Sequence, residues 1–148
     1  MHRIPAALIV SIAFSGCAYQ FVPLSELTAA ESKWKAQSIQ NYGFVLEVKS
    51  LLQDPRCSES GKIEVEVLAG QTAKFGSCTP DVDLAQRFGT VDSIFETIRE
   101  ERYKRPPHFE VRYNPAMGYP EYIYINHSQT TADYSVQYSV RDLRATER

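Results

Sequence analysis

The chain has 148 residues and a formal net charge of -2 at pH 7, a length that suits one ordinary domain and is short for two. Its 16 Lys and Arg do not outnumber its 18 Asp and Glu and form no basic run, so we expect no nucleic-acid partner.

The first predicted element is an export signal. Met1-His2-Arg3 is a weakly basic head, and residues 4–14 form an almost unbroken apolar run. That run is shorter than the about 18 residues of a membrane-spanning helix and matches the roughly 7–15 residues of a signal core. The tetrad Phe14-Ser15-Gly16-Cys17 then resembles the lipobox of bacterial lipoproteins, whose cysteine thiol is alkylated by diacylglycerol before cleavage makes it residue one.

The lipobox resemblance implies a location. Residues 1–16 would be the signal peptide, and acyl chains such as palmitate on Cys17 would hold the protein to a lipid bilayer. Residues 17–24 would be a short tether and residues 25–148 a single domain facing the periplasm or the cell exterior. The alternative is a secreted protein with a spare cysteine.

The next predicted elements are a helix and three strands. Leu27, Trp34 and Ile39 in "SELTAAESKWKAQSIQNY" predict an amphipathic helix that Ser25 caps and that ends near residues 41–43. "NYGFVLEVK" and "KIEVEVL" alternate apolar with other residues, which is typical of half-buried strands. A turn at residues 69–71 returns "TAKFGS" as a third strand.

Two cysteines lie just beyond the ends of the first and third of these strands, at one edge of the predicted meander. Cys57 and Cys78 are therefore predicted to form a disulfide, worth about 3 kcal/mol in the chain-entropy model. A metal pair or a redox couple is the alternative, but no histidine is close in sequence and the spacing is far from Cys-x-x-Cys.

The second half of the chain repeats this order of elements. "TVDSIFETIREERY" predicts a helix capped by Thr90, and Pro106-Pro107 ends it. The segments "HFEVRY", "EYIYIN" and "DYSVQYSV" alternate like strands. The predicted fold class is α+β, with two helix-plus-three-strand halves forming one antiparallel sheet and the helices on one face.

One block carries a family resemblance. "VRYNPAMGYPEYIYI", with Trp34, "YGFVL", Cys57, the strand "VEV" before Gly70 and "ADYSVQYSV", is similar to an uncharacterised family of small bacterial lipoproteins that share Val-x-Tyr-Asp-Pro-x-x-Gly-Tyr-Pro. Asn114 replaces the usual aspartate, and Cys57 stands alone where the family commonly has a close cysteine pair. The resemblance implies an exported lipoprotein and no established activity. The block itself predicts a hairpin turn, or alternatively a binding loop in which Tyr119 would contact the ligand.

The candidate functional residues lie on the later strands. His108, Glu110 and Arg112 share one strand face, and Tyr122 and Tyr124 join it if the alternating isoleucines face the helices. Such a set could bind an envelope protein or polymer, or it could be an ordinary solvated face.

Two functions follow from these residues. A non-enzymatic envelope binding or structural module is the first. An envelope hydrolase whose site gathers His108, Glu110 and Asp133 is the alternative. Asp81 and Asp83 are too few oxygen donors for a calcium site, and we expect no metal and no cofactor.

Overall fold

The computed structural model describes residues 21–50, 61–76, 82–131 and 135–146. These residues form three helices and six strands. In chain order they are α1 (Leu24–Ala36), β1 (Tyr42–Ser50), β2 (Lys62–Leu68), β3 (Gln71–Phe75), α2 (Val82–Phe88), α3 (Val91–Lys104), β4 (His108–Tyr113), β5 (Pro120–Asn126) and β6 (Ser135–Ala145).

The described strands form a single antiparallel sheet in the order β3-β2-β1-β6-β5-β4. The first strand pairs with the last at the centre of the sheet, where Leu46 stands opposite Val140. The α+β class predicted from the sequence is confirmed.

The core lies on one side of the strands because their apolar residues alternate with polar ones. Tyr42, Phe44 and Leu46 of β1 are buried, and their partners on β2 are buried as well. Aromatic side chains from the helices contact this layer. The closest pairs are Trp34 of α1 edge-on to Tyr42, Phe88 of α2 stacked on Tyr138, and Phe95 of α3 stacked on Tyr113.

Thr90 caps α3 as predicted from the sequence. Its side chain accepts a hydrogen bond from the Ser93 amide, and the Ser93 hydroxyl accepts one from the Thr90 amide. This reciprocal capping box satisfies two amides that a helix start leaves free. At the other end Arg105 adopts a left-handed conformation, with φ of 53°, and the two prolines follow.

The predicted bounds of the first helix were wrong. The helix begins at Leu24 after Pro23, so Ser25 lies inside the first turn and is no cap. Pro23 is the N-cap residue, with an extended backbone at ψ of 135°, and its carbonyl accepts a hydrogen bond from the Leu27 amide at 3.2 Å. The helix ends at Ala36. Ser38 has φ of 55°, which is outside the right-handed helical region, and β1 begins at Tyr42.

Two further elements differ from the sequence prediction. The helix α2 was not predicted, so the second half of the chain carries two helices. Strand β6 continues to Ala145, beyond the predicted end at Val140, because residues 141–145 pair with the start of β1 across a bulge at Asp142.

Candidate functional site

The candidate binding residues of β4 and β5 are cross-strand neighbours. The register pairs them as Arg112 with Tyr122, Glu110 with Tyr124, and His108 with Asn126. Directly opposed residues of an antiparallel pair point to the same face. Ile123 and Ile125, which alternate with the tyrosines, are only 1% and 2% exposed. The tyrosines and the three β4 side chains therefore lie on the sheet face opposite the core.

The register extends this face into the other strands. Ser139 of β6 stands opposite both Tyr122 and Glu47, and Glu47 of β1 stands opposite Lys62 of β2. We call the face formed by these residues and the β4 and β5 side chains the polar face. It crosses both halves of the sheet.

An arginine and a tyrosine stack at the β4 edge of the polar face. The Arg112 guanidinium carbon lies 3.9 Å from the centroid of the Tyr122 ring. Its Nε atom lies 3.4 Å from a carboxylate oxygen of Glu110. A cation held over an aromatic ring at an exposed site is worth about 0.5–1 kcal/mol. The pair therefore presents a guanidinium over an aromatic ring, with the Glu110 carboxylate beside it.

Charges alternate across the centre of the polar face. The two carboxylate oxygens of Glu47 lie 3.5 Å from Lys62 Nζ and 3.8 Å from Arg141 Nε. Ser139 of β6, which stands opposite Glu47, is 1% exposed, and its hydroxyl has no hydrogen-bond partner among the described residues. The face has both signs of charge side by side, which suits a partner with mixed polarity better than a polyanion.

A shallow depression of about 300 Å³ adjoins the polar face over β2, β1 and the end of β6. Its floor includes Gly43, which has no side chain, and its walls include Glu64, Lys74, Asp142 and Arg144. Lys74 Nζ lies 3.5 Å from Glu64. The depression has room for a protruding side chain or a small polar group of a partner.

The residues proposed for hydrolysis are placed only in part. Glu110 is paired with Arg112, and His108 is exposed at the start of β4. Asp133, the third member, lies outside the described residues, as do Cys17, Cys57 and Cys78.

The "NPAMGYP" segment is a tight turn packed on α1. The Asn114 side-chain oxygen accepts hydrogen bonds from the amides of Ala116 and Met117. Tyr119 is buried, and the centroid of its ring lies 6.3 Å from that of Trp34 in an edge-on arrangement. Its side chain is therefore not exposed to contact a ligand. The packing of this segment favours the turn interpretation.

A buried carboxylate on α3 was not singled out from the sequence. Glu101 is 2% exposed, and Arg87 Nη2 and Lys104 Nζ lie 2.8 Å and 2.9 Å from its Oε1 atom. His127 Nε2 lies 3.6 Å from its Oε2 atom. The i,i+3 spacing to Lys104 is visible in the sequence, but Arg87 lies on the unpredicted α2. The cluster joins α2, α3 and the end of β5.

Two features sought in the sequence are absent from the part of the chain that the structure describes. No group of three or more His, Cys, Asp or Glu is arranged to hold a metal ion there. No helix within the described ranges has the length and apolar character that crossing a bilayer requires.

Comparison with known proteins gives one match. The sequence model of a family of unknown function, DUF6174, matches residues 26–145. No curated protein and no solved structure matches the chain.

Proposed function

The chain belongs to DUF6174, a family of unknown function, and from its own residues we propose that it is a membrane-anchored bacterial envelope lipoprotein whose polar face binds an envelope protein or polymer without catalysis. The anchor would be the acylated Cys17. The Cys57–Cys78 disulfide belongs to the same proposal, since an exported domain folds where thiols are oxidised.

We also propose that the fold consists of two halves with all helices on one face of the sheet. Two adjacent three-stranded meanders, β1–β3 and β4–β6, support this arrangement. The aromatic contacts of α1, α2 and α3 with the buried side of the strands support it as well. The polar face would then be left open to a partner.

The observation that carries the binding function is the Arg112–Tyr122 stack. Arginine and tyrosine are enriched among the residues that dominate binding energies, because each gives a large contact area with a polar group at its tip. Here the ring is held by the sheet and the guanidinium by the ring and Glu110, so little side-chain freedom is lost when a partner docks.

The hydrolase alternative is less well supported. The carboxylate of Glu110, its proposed acid or base, already pairs with Arg112. If the alternative were correct, His108→Ala would abolish hydrolysis of envelope substrates while leaving the fold intact. The binding proposal expects no such loss.

The binding proposal is tested by removing both tyrosines. The partner is first identified by mass spectrometry of the proteins that co-purify with the acylated wild type. The double variant Tyr122→Ala, Tyr124→Ala should no longer co-purify with it. Both side chains are half-buried, so the loss in unfolding free energy should stay below the about 3–5 kcal/mol of a core aromatic.

Glu100→Ala is the control, because Glu100 is exposed on α3, away from the polar face. Arg112→Ala gives a second variant whose side chain is already 64% exposed, so it should fold even if the double variant does not. The binding proposal is overturned if folded Arg112→Ala protein captures the same partners as the wild type.

A further inference from the structure

Three large hydrophobic side chains are exposed among the described residues. Phe21 and Leu24 are each 50% exposed, and Tyr103 is 88% exposed. We call these three residues the apolar patch. None of them is on the polar face, since Phe21 precedes α1, Leu24 opens it and Tyr103 lies in the last turn of α3.

Arg102 joins the two parts of the apolar patch. Its Nε atom donates a hydrogen bond to the Val22 carbonyl at 2.9 Å, and its guanidinium carbon lies 4.5 Å from the centroid of the Phe21 ring. Val22 itself is 5% exposed and belongs to the core. The segment that leads into α1 is therefore fixed against the last turn of α3, which also carries Tyr103.

The apolar patch is close in sequence to the proposed anchor. Cys17 and Phe21 are four residues apart, and four residues span at most about 14 Å when fully extended. This step rests on the proposed function, since it requires that Cys17 carry the lipid. With the lipid in a bilayer, Phe21 and its neighbours must stay near the headgroups.

We propose that the apolar patch lies against the bilayer and sets the orientation of the domain on it. Aromatic and leucine side chains beside basic ones are typical of protein surfaces that sit in a membrane interface. Arg105 lies two residues after Tyr103, is exposed, and favours anionic headgroups. The partner of this surface is lipid, and the polar face is free for a second partner.

Bromine on lipid acyl chains tests this contact, because it quenches tryptophan at short range. The sequence has one tryptophan, Trp34, which is 4% exposed and gives a constant background. Tyr103→Trp and Leu24→Trp each add a probe to the apolar patch. Gln71→Trp is the control, since Gln71 is exposed on β3 at the opposite edge of the sheet from β4.

The exported full-length variants are mixed with vesicles of phosphatidylethanolamine and phosphatidylglycerol, with and without bromine. We expect the emission of the added tryptophan to fall at residues 103 and 24 and to stay unchanged at residue 71. Equal quenching at residues 103 and 71, or none at 103 and 24, overturns the proposal.

Flotation of the vesicles and the intact mass of the protein separate this proposal from that of the anchor. Acylated protein that floats with unquenched probes at residues 103 and 24 overturns the apolar patch as a lipid contact and supports the anchor. Unacylated protein with quenched probes supports the apolar patch as a lipid contact and overturns the anchor. Unacylated protein without quenching overturns both.

Discussion

Two buried tyrosine hydroxyls, those of Tyr42 and Tyr113, differ in whether they form a hydrogen bond within the described residues. The Tyr42 hydroxyl accepts a hydrogen bond from the Val91 amide at 2.9 Å, at the start of α3. Burial raises the pKa of Tyr42 to about 12, against the opposing effect of this bond. Burial also raises the pKa of Tyr113, whose hydroxyl has no hydrogen-bond partner among the described residues. Both phenols are thus neutral near pH 7, and only one contributes a bond.

Removal of each hydroxyl should therefore have a different effect. Tyr42→Phe leaves the buried Val91 amide without an acceptor and should cost about 1–3 kcal/mol. Tyr113→Phe removes an unpaired polar group and should leave the free energy of unfolding unchanged or slightly higher. Urea denaturation of the two variants beside the wild type checks this pair, and equal losses would contradict it.

Asn114 has a role that an aspartate could not fully perform. Its side-chain oxygen accepts two amide hydrogen bonds within the turn, as an aspartate oxygen would. Its side-chain nitrogen donates to the Glu121 carboxylate at 2.7 Å. An aspartate here would place two carboxylates together, so Glu121 accounts for the asparagine.

At the scale of elements, the β4–β5 turn clamps α1 to the sheet. Lys33 Nζ donates to the Pro115 carbonyl at 2.8 Å, and Gly118 lies so close to α1 that an added Cβ would be 2.4 Å from the Ala30 carbonyl oxygen. Gly118 also has φ of 87°, a conformation that other residues rarely adopt. Gly118 therefore allows the turn to pack closely on α1.

Gly118→Ala should destabilise the protein by about 1–3 kcal/mol, because the added methyl collides with backbone and the residue is strained. Gly43→Ala is the matched control. Its Cβ would meet the Val65 carbonyl at 3.4 Å, an ordinary contact, so the change should stay near 0.5 kcal/mol. Thermal unfolding measures the melting temperatures of both variants, and we expect the larger decrease for Gly118→Ala. Similar melting temperatures for the two variants would refute this prediction.

The elements that the sequence predicted well are those with a strong local pattern. Alternation located five of the six described strands, the turn at residues 69–71 located β3, and the capping residue Thr90 located α3. The short α2 has a single buried aromatic, Phe88, and its position depends on packing against α3 and Tyr138. Helix α1 was located but misplaced at its ends, because a serine and a proline compete for its start and local propensity does not decide between them.

At the scale of the whole molecule, only part of the polar face was predictable. A period of two placed Arg112, Tyr122 and Tyr124 together, because β4 and β5 are neighbours in sequence. Glu47 joins them through the β1–β6 pairing, which no local pattern encodes. Glu101 was missed for the same reason, since Arg87 reaches it from another helix.

The anchor yields a prediction for the intact protein in the cell. If Cys17 is acylated as proposed, Cys17→Ser should abolish incorporation of a fatty-acid analogue and move the protein out of the membrane fraction, because a serine hydroxyl does not replace the thiol in this reaction. Metabolic labelling followed by fractionation measures both effects. Cys57→Ser is the control and should keep the label. Labelling that is unchanged in Cys17→Ser would refute the anchor.

The central pairing of β1 with β6 has a consequence for the time at which the protein folds. Residue 46 contacts residue 140, so the middle of the sheet closes only when nearly the whole chain has been synthesised. Closing so long a loop is entropically costly and makes folding slow. A nascent chain that stays open until its last strand emerges is in the state that a translocation channel accepts, so late closure of the sheet is compatible with the export that we propose.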